Sequence, residues 1–181
     1  MLDLNDFAKK VHTNARNKGW WDEPRTLPEI CALIHSEWSE ALEAYRSHEP
    51  MIWFDKDKNN KPDGVAVELI DGCIRILDWM GHVEFNIFPS QIDSLINIIS
   101  TRRSARLKAM ELPELVATLH VYTADAHRGE PTTNTAGEAL MGAMVTAFYW
   151  LMVKGVDCED VLLKKHKYNL TRSYKHGGKA I

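Results

Sequence analysis

Four carboxylates at helical spacing are the side chains of this chain most suited to chemistry. Two segments, ICALIHSEWSEALEAY and VAVELIDGCIRILDWM, each place two acids three residues apart: Glu37 with Glu40, and Glu68 with Asp71. Residues three apart share one face of an α-helix, so two packed helices would bring four carboxylates together. Such oxygen donors repel one another unless a hard cation lies between them. The pattern therefore predicts a site for Mg²⁺, or for Mn²⁺ in its place.

The surroundings of Glu37 separate this pattern from ordinary acid pairs on solvated helices. On a helical wheel Glu37 falls inside an apolar arc made by Ile30, Leu33, Ile34, Trp38, Ala41 and Tyr45. A carboxylate in a packed face is costly, so Glu37 requires a partner. In the second segment three acids, Glu68, Asp71 and Asp78, form one narrow strip, and we predict Asp78 as a further metal ligand. The alternative is a solvated strip in which Asp71 pairs with Arg75, four residues on.

Length and composition describe an ordinary globular chain. The 181 residues are 45% apolar and 26% charged, which suits a single domain with a real core. A net charge of −3 gives no reason to expect duplex nucleic acid as a partner. The three cysteines, Cys31, Cys73 and Cys158, are widely spaced and predict small core residues in a reducing compartment. We expect a cytoplasmic protein with no membrane partner, because the N-terminal pattern is amphipathic and contains no long apolar run.

Helical signals extend over nearly the whole chain, so the predicted fold class is all-α, a bundle of packed antiparallel helices. No segment has a credible strand pattern, and residues 48–64 are the only long irregular stretch. Capping boxes at Thr26 with Glu29 and at Thr135 with Glu138 predict two helix starts. The predicted helices cover about 3–18, 27–47, 65–82, a segment capped by Ser90 with Ile92, Leu95, Ile96 and Ile99 on one face, 112–129, 136–155 and 157–174.

The chain also contains an internal similarity. Residues 27–41, LPEICALIHSEWSEA, match residues 112–126, LPELVATLHVYTADA, and the helices that follow align more weakly. We interpret this as two related helical hairpins, an acidic catalytic hairpin over 27–83 and a degenerate one over 112–155, inside one domain that ends in a basic helix and tail over 157–181. The alternative is a coincidence of short sequences.

The comparison between the two copies indicates which positions serve chemistry. The second copy replaces three acids with bulky residues: Glu37 aligns with Tyr122, Asp71 with Met141 and Asp78 with Phe148. Only Asp125 and Glu138 remain acidic in it. The long loop 48–64 belongs only to the charged copy, and its apolar beginning next to the acids predicts a lid.

A metal held by carboxylates usually binds substrate phosphates as well, and phosphates need positive partners. The last predicted helix supplies them, because Lys165, Asn169 and Arg172 are spaced four and three residues apart and share one face. We predict that this face holds a polyphosphate, while a carboxylate orients or deprotonates the attacking water. The alternative is a basic helix end that complements the helix dipole.

Taken together, these motifs resemble the MazG-like nucleoside triphosphate pyrophosphohydrolases, which belong to the all-α superfamily that also contains the dimeric dUTPases. The resemblance rests on Glu37-x-x-Glu40, Glu68-x-x-Asp71 followed by RILD, and Lys165-x-x-x-Asn169-x-x-Arg172 followed by HGGK, which ends at Lys179. It implies a Mg²⁺-dependent enzyme that hydrolyses a (d)NTP to a (d)NMP and pyrophosphate. The four acids would be catalytic and hold the metal, and the α-helical cation ladder would hold the triphosphate. Family members assemble as homodimers or higher homo-oligomers.

The sequence is open to more than one interpretation of how a base would be recognised and of what the protein does. Trp20 and Trp21 lie in the loop before the acidic helix, and either aromatic face would stack on a base. Core or lid packing is the alternative for each of them. The rival functions are a non-catalytic helical protein that binds a cation or a nucleotide, and a pyrophosphohydrolase that acts on a phosphoribosyl nucleotide.

Overall fold

The computed structural model describes residues 2–129 and 131–178, and leaves the side chains of 95, 98–104, 106 and 107 undescribed. Most of these residues are helical, which confirms the all-α class. The elements are α1 (Leu4–Asn17), α2 (Leu27–Arg46), β1 (Trp53–Asp55), β2 (Lys61–Asp63), α3 (Val65–His82), α4 (Pro89–Ala109), α5 (Leu112–Ala126), α6 (Thr133–Val153), α7 (Cys158–Thr171) and α8 (Lys175–Gly178).

Side-chain caps set the beginnings of the helices. At α2 the predicted capping box is present, because Thr26 accepts from the backbone N–H of Glu29 and the Glu29 carboxylate accepts from that of Thr26. The predicted cap of α6 at Thr135 is wrong. Thr132 caps this helix, and the Thr135 hydroxyl takes the reciprocal role expected of a glutamate.

The end of α7 also differs from the sequence prediction. The helix predicted to reach residue 174 ends at Thr171, because Arg172 adopts an extended conformation and redirects the chain. The segment beyond it returns to the end of α1, where the backbone N–H of Lys175 donates to the carbonyl of Lys18 at 2.9 Å. This return places the C-terminal residues beside Gly19, which packs against the ring of Tyr174.

The loop 48–64 contains a short antiparallel hairpin, so the expectation of no strand is wrong. Phe54 of β1 pairs with Pro62 of β2, and Asn59 and Asn60 turn the chain with positive φ angles of 56° and 57°. Each strand has three residues, too few to give a period-two signal in the sequence. The hairpin packs against α3 and α7.

The core of the bundle is built on α3. This helix packs against α1, α2, α6 and α7, while α5 packs against α2 and α6. The approach of α2 to α3 depends on Gly72, because a Cβ at this position would lie 2.3 Å from the ring of Trp38. Of the face predicted for α4, Ile92 packs on the core and Ile96 is 36% exposed, while the side chains of Leu95 and Ile99 lie outside the described part.

Among the described residues, one helix has the length and hydropathy needed to cross a membrane. It is α6, whose most apolar 18-residue window has a mean hydropathy of 1.4. In this fold 67% of that window is buried against neighbouring helices. Burial of this kind is what a core helix requires, so the composition of α6 is explained by its packing.

Two histidines from α2 and α5 meet where these helices pack. The Nδ1 atoms of His35 and His120 lie 2.7 Å apart, and the two rings stack with centroids 4.9 Å apart. Burial lowers the pKa of both imidazoles, and in His35 the neighbouring His120 and His127 add to the effect. The neutral pair shares one proton between its two facing nitrogens, and a second proton would turn both nitrogens into N–H donors that face each other without an acceptor.

Acidification is therefore expected to loosen the packing of α2 on α5. Because the folded pKa of each histidine lies below the unfolded value, the stabilisation is complete above about pH 6.5 and is lost as the pH falls towards the folded pKa. After allowance for solvent screening, the loss is expected to be about 1 kcal/mol or less. Urea midpoints at about pH 7.5 and 5.5 should differ less in His120→Gln than in the wild type.

The matched control is His48→Asn, since His48 is exposed and has a positive φ of 59°, which asparagine tolerates. This variant should keep the wild-type pH dependence. Equal pH dependence in the wild type and in His120→Gln would contradict the role of the histidine pair.

Candidate metal centre and adjoining cavity

Three of the four predicted acids converge. Glu37 and Glu40 of α2 and Glu68 of α3 each present a carboxylate oxygen, and these oxygens all lie within 4.8 Å of one another. Glu37 is 5% exposed and Glu68 is 7% exposed, whereas Glu40 is open to solvent. The wheel position of Glu37 inside the apolar arc thus corresponds to a buried side chain.

Burial and mutual repulsion act strongly on this cluster. Burial raises the pKa of Glu68 to about 9, with further increments from the negative charges of Asp71, Glu37 and Glu40, while Lys165 opposes them. Burial also raises the pKa of Glu37, although the nearby Arg75 favours its charged form. A dication placed between these oxygens would remove the repulsion, so the donor set fits a hard metal ion such as Mg²⁺.

Asp71 lies beside this cluster and is paired with a cation. Its carboxylate is 2.6 Å from the ammonium group of Lys165 on α7, a side chain that is 2% exposed. Arg75 instead donates from Nε to Glu37 at 2.5 Å. The alternative pairing of Asp71 with Arg75 is therefore not formed. The acidic strip of α3 faces neighbouring helices and is not a solvated face.

Asp78 is separated from the three glutamates. It lies seven residues beyond Asp71 on the same helix, a rise of roughly 10 Å. Its carboxylate lies 2.8 Å from His12 Nδ1 and accepts from Trp21 Nε1 at 3.0 Å. Because of this separation along α3, the structure gives no support to Asp78 as a ligand of the same metal.

A cavity of about 100 Å³ adjoins the acids, between α1, α3 and α7. Glu37, Asp71 and Arg75 line it together with Asn169 of α7 and with Arg172, which follows the end of α7. Of the predicted cation–amide ladder, Lys165 is buried behind Asp71 and Asn169 lines the cavity, whereas Arg172 lies beyond the helix in extended backbone, so the prediction that all three share one helix face is wrong for Arg172. Lys179, the last residue of the resemblance motif, lies outside the described residues.

The Asn169 side chain carries an unsatisfied group. Its Oδ1 atom is buried and has no hydrogen-bond partner among the described residues. A buried acceptor without a donor costs about 1–3 kcal/mol, and such an atom in a native fold calls for an explanation. Since Asn169 lines the cavity, a bound molecule that donates a hydrogen bond there would satisfy it. Arg172 nearby is half-buried, and burial lowers its pKa.

The two tryptophans of the α1–α2 loop differ in their surroundings. Trp20 lines the cavity, and its ring meets the ring of His176 edge-on at 4.9 Å between centroids. Trp21 stacks on His82 at 4.0 Å and bonds to Asp78, and it does not line this cavity. Of the two predicted base-stacking residues, Trp20 is therefore the one that lies next to the cavity.

Comparison of the chain with protein-family models, with curated proteins and with solved structures found no match.

Two site residues that the sequence prediction missed lie on β2. The Lys61 ammonium is 2.5 Å from Asp63, and against the effect of burial Lys61, the backbone N–H of Gly64 and the Glu68 side chain together lower the pKa of the Asp63 carboxyl. Burial opposes the charge of Lys61, yet Asp63, Glu68 and Asp71 together raise its pKa. The carbonyl of Pro62, between them, lies 3.5 Å from the ammonium group of Lys165. The signal available in the sequence was the run KPDG directly before the acidic helix.

Proposed function

We propose that this protein is a Mg²⁺-dependent nucleoside triphosphate pyrophosphohydrolase, which converts a (d)NTP and water to a (d)NMP and pyrophosphate. The observation that supports it best is the convergence of Glu37, Glu40 and Glu68 next to a cavity lined by Asn169 and Arg172. Acidic oxygens alone would indicate a cation site. Acids beside buried cations indicate a cation bound together with a polyanion.

The proposed metal ligands are Glu37, Glu40, Glu68 and Asp71. A bound Mg²⁺ would polarise a phosphoryl oxygen and lower the pKa of a coordinated water. Glu37 and Asp71 are engaged by Arg75 and Lys165, whereas Glu40 is exposed and, among the described residues, accepts only from the Ser36 hydroxyl, at 2.9 Å. Glu40 is accordingly the acid with most freedom to orient the attacking water or accept its proton.

The proposed triphosphate contacts come from α7 and from Arg172, which follows it. Lys165 is held by Asp71 in this structure, and the phosphate oxygens would compete with Asp71 for its ammonium group. Arg172 supplies a fork of N–H donors, and the amide of Asn169 supplies a hydrogen bond. Lys61 on the hairpin is a further cation near the acids, and its side chain is 26% exposed and open to an entering anion.

We further propose that the two halves of the bundle are related hairpins. The aligned residues His35 and His120 touch one another, and so do the aligned residues Trp38 and Thr123, joined by a hydrogen bond of 3.0 Å. Contacts between equivalent residues are what a two-fold relation produces near its axis. The second hairpin would then stand in for a partner chain, and assembly into a homodimer or larger oligomer stays a prediction.

A non-catalytic cation- or nucleotide-binding protein is the second candidate. The pairs Arg75–Glu37 and Lys165–Asp71 already neutralise two acids by themselves, as in a purely structural charge network. A phosphoribosyl nucleotide is the third candidate, as a different substrate of the same chemistry.

One assay separates these candidates. Pyrophosphate release should be measured with a panel of canonical and modified nucleoside triphosphates and a phosphoribosyl nucleotide, with Mg²⁺ and with a chelator. The proposal predicts Mg²⁺-dependent release of pyrophosphate and a nucleoside monophosphate in equal amounts. Binding without release would favour the non-catalytic candidate, and release of orthophosphate would contradict cleavage between the α and β phosphates.

Asn169→Ala offers a test that leaves the fold intact. Because the Asn169 oxygen has no partner to lose, its removal should leave the thermal midpoint unchanged or slightly raised. The lost substrate contact should raise KM about tenfold, which corresponds to one hydrogen bond to a charged group. The control is Asn134→Ala, an exposed residue of α6 that lines no described cavity. A large fall in the thermal midpoint with unchanged KM would remove Asn169 from the substrate site.

A further inference from the structure

Arg25 is a half-buried cation that the mechanism above does not use. It lies in the α1–α2 loop directly before Thr26, the cap of α2. Its guanidinium carbon is 6.0 Å from the ring centroid of Trp20 and 6.0 Å from that of Trp21. Arg25 thus lies against the tryptophan that lines the cavity.

The guanidinium lacks a full set of partners. Its Nη2 atom is buried and has no hydrogen bond within the described residues. Arg25 also forms no ion pair in the described part of the chain. The acids near it are already engaged, because Glu29 closes the capping box with Thr26 and Asp78 binds His12 and Trp21.

The charges around Arg25 increase the cost of this arrangement. Burial and the positive charge of Arg75 lower the pKa of the Arg25 guanidinium, against the carboxylates of Asp78 and Glu29. A buried charged donor without an acceptor is strongly unfavourable. A ligand atom that accepts a hydrogen bond would remove this cost, and an amino group could not, because a guanidinium has donors only.

The position of Arg25 indicates which part of a nucleotide would reach it. The metal and phosphate groups belong to the end of the cavity near Glu37 and Asp71. Arg25 lies near Asp78, roughly 10 Å along α3 from Asp71. A nucleotide with its phosphates at the acids would therefore extend its base towards Trp20 and Arg25.

We infer that Arg25 is a specificity-determining residue that donates a hydrogen bond to a keto oxygen of the base. This inference rests on the proposed function for the placement of the phosphates. Guanine carries a keto group at C6 and uracil or thymine at C4, where adenine and cytosine carry an amino group. The protein therefore prefers 6-keto purine and 4-keto pyrimidine nucleotides over their amino counterparts.

Binding requires a local movement of Trp20. The cavity of about 100 Å³ is smaller than the several hundred cubic ångströms typical of ligand sites. Trp20 is half-buried between the cavity and Arg25, so a shift of its ring both enlarges the cavity and uncovers Nη2. The displaced ring then offers a face for the base to stack on.

The test uses nucleoside monophosphates, which a pyrophosphohydrolase does not cleave. Dissociation constants for GMP, AMP, UMP and CMP should be measured by calorimetry on the full chain, with inorganic tripolyphosphate as the phosphate-only probe. The wild type is expected to bind GMP over AMP, and UMP over CMP, by roughly tenfold. The side-chain amide of glutamine can accept a hydrogen bond as well as donate one. Arg25→Gln should therefore bring the affinity ratios of GMP to AMP and of UMP to CMP to about one, and should change the dissociation constant of tripolyphosphate by less than about twofold.

Arg25→Lys keeps a charged donor and should retain part of the preference, which a merely structural role for Arg25 does not predict. Arg128→Gln is the matched control, since Arg128 is exposed and paired with Asp125 at 3.0 Å, and its ratios should equal those of the wild type. Unchanged ratios in Arg25→Gln, or an equal loss of tripolyphosphate affinity, would overturn the inference. A base preference without any pyrophosphate release would leave Arg25 in place and refute the proposed hydrolysis alone.

Discussion

Replacing Glu40 with glutamine is expected to lower kcat/KM for nucleoside triphosphates by about a hundredfold or more. Metal-assisted stabilisation of the transition state is worth several kcal/mol, and each 1.36 kcal/mol is tenfold in rate. Glu40 is the most informative of the four acids because it is exposed and forms no ion pair with another described residue. Its loss therefore leaves no buried cation behind, and the helical circular dichroism signal should be unchanged.

The control for this prediction lies one turn further along α2. Glu43 is also exposed, is not a member of the cluster and pairs with Arg46 at 2.8 Å. Glu43→Gln should keep full activity. Asp71→Asn is expected to abolish activity too, but it leaves Lys165 without a counter-ion at 2% exposure, which destabilises a fold by about 3–5 kcal/mol. Full activity in Glu40→Gln would show that the catalytic site lies elsewhere.

Glu68→Gln is expected to stabilise the metal-free protein by about 1–3 kcal/mol near neutral pH. With a folded pKa of about 9 against an ordinary value of 4.5, Glu68 must take up a proton or bury a charge when the chain folds. A raised carboxylate pKa makes this penalty grow as the pH rises from about 4.5 to about 9. Glutamine removes the penalty because it carries no charge at any pH, so the variant should lose less stability across that range.

The stabilisation of the fold by Mg²⁺ should be smaller in Glu68→Gln than in the wild type, although the metal-free variant is the more stable of the two. A metal that binds only the folded state raises the thermal midpoint of the wild type, and Glu68→Gln should lose most of this increase. Glu138→Gln is the control, because Glu138 aligns with Glu68 in the second hairpin and is exposed on α6. Lower stability of Glu68→Gln without metal would mean that the Glu68 carboxylate contributes favourable pairing to the fold, contrary to the repulsion described above.

Local patterns predicted much of the architecture. The apolar arc of α2 placed Glu37 among buried residues, and Glu37 is 5% exposed. The capping box of Thr26 with Glu29 set the start of α2 to the residue. Such predictions succeed because helix periodicity and capping involve residues within four positions of one another. The cap of α6 was misplaced because Thr132 and Thr135 both have the chemistry of a cap, and only the path of the preceding chain selects between them.

Pairing between distant segments was beyond the same kind of reasoning. The helical wheel placed Asp71, Arg75 and Asp78 on one face of α3, but it could not predict which side chains would contact that face. In the structure, Arg75 pairs with Glu37 and Asp71 pairs with Lys165. Asp78 binds His12 and Trp21. The hairpin residues Lys61 and Asp63 entered the site in the same way, through a loop whose strands are too short to be recognised.

By itself, the sequence determined the helical class, the convergence of acids from two helices and the shared helix face of Lys165 and Asn169. The tertiary structure decided which acids meet, which are neutralised by cations, that Arg172 lies beyond the end of α7, and that Arg25 and Asn169 keep buried polar atoms without partners among the described residues. The division has a physical cause. Helical periodicity fixes the face on which a side chain lies, whereas burial and charge pairing depend on what the rest of the chain places against that face.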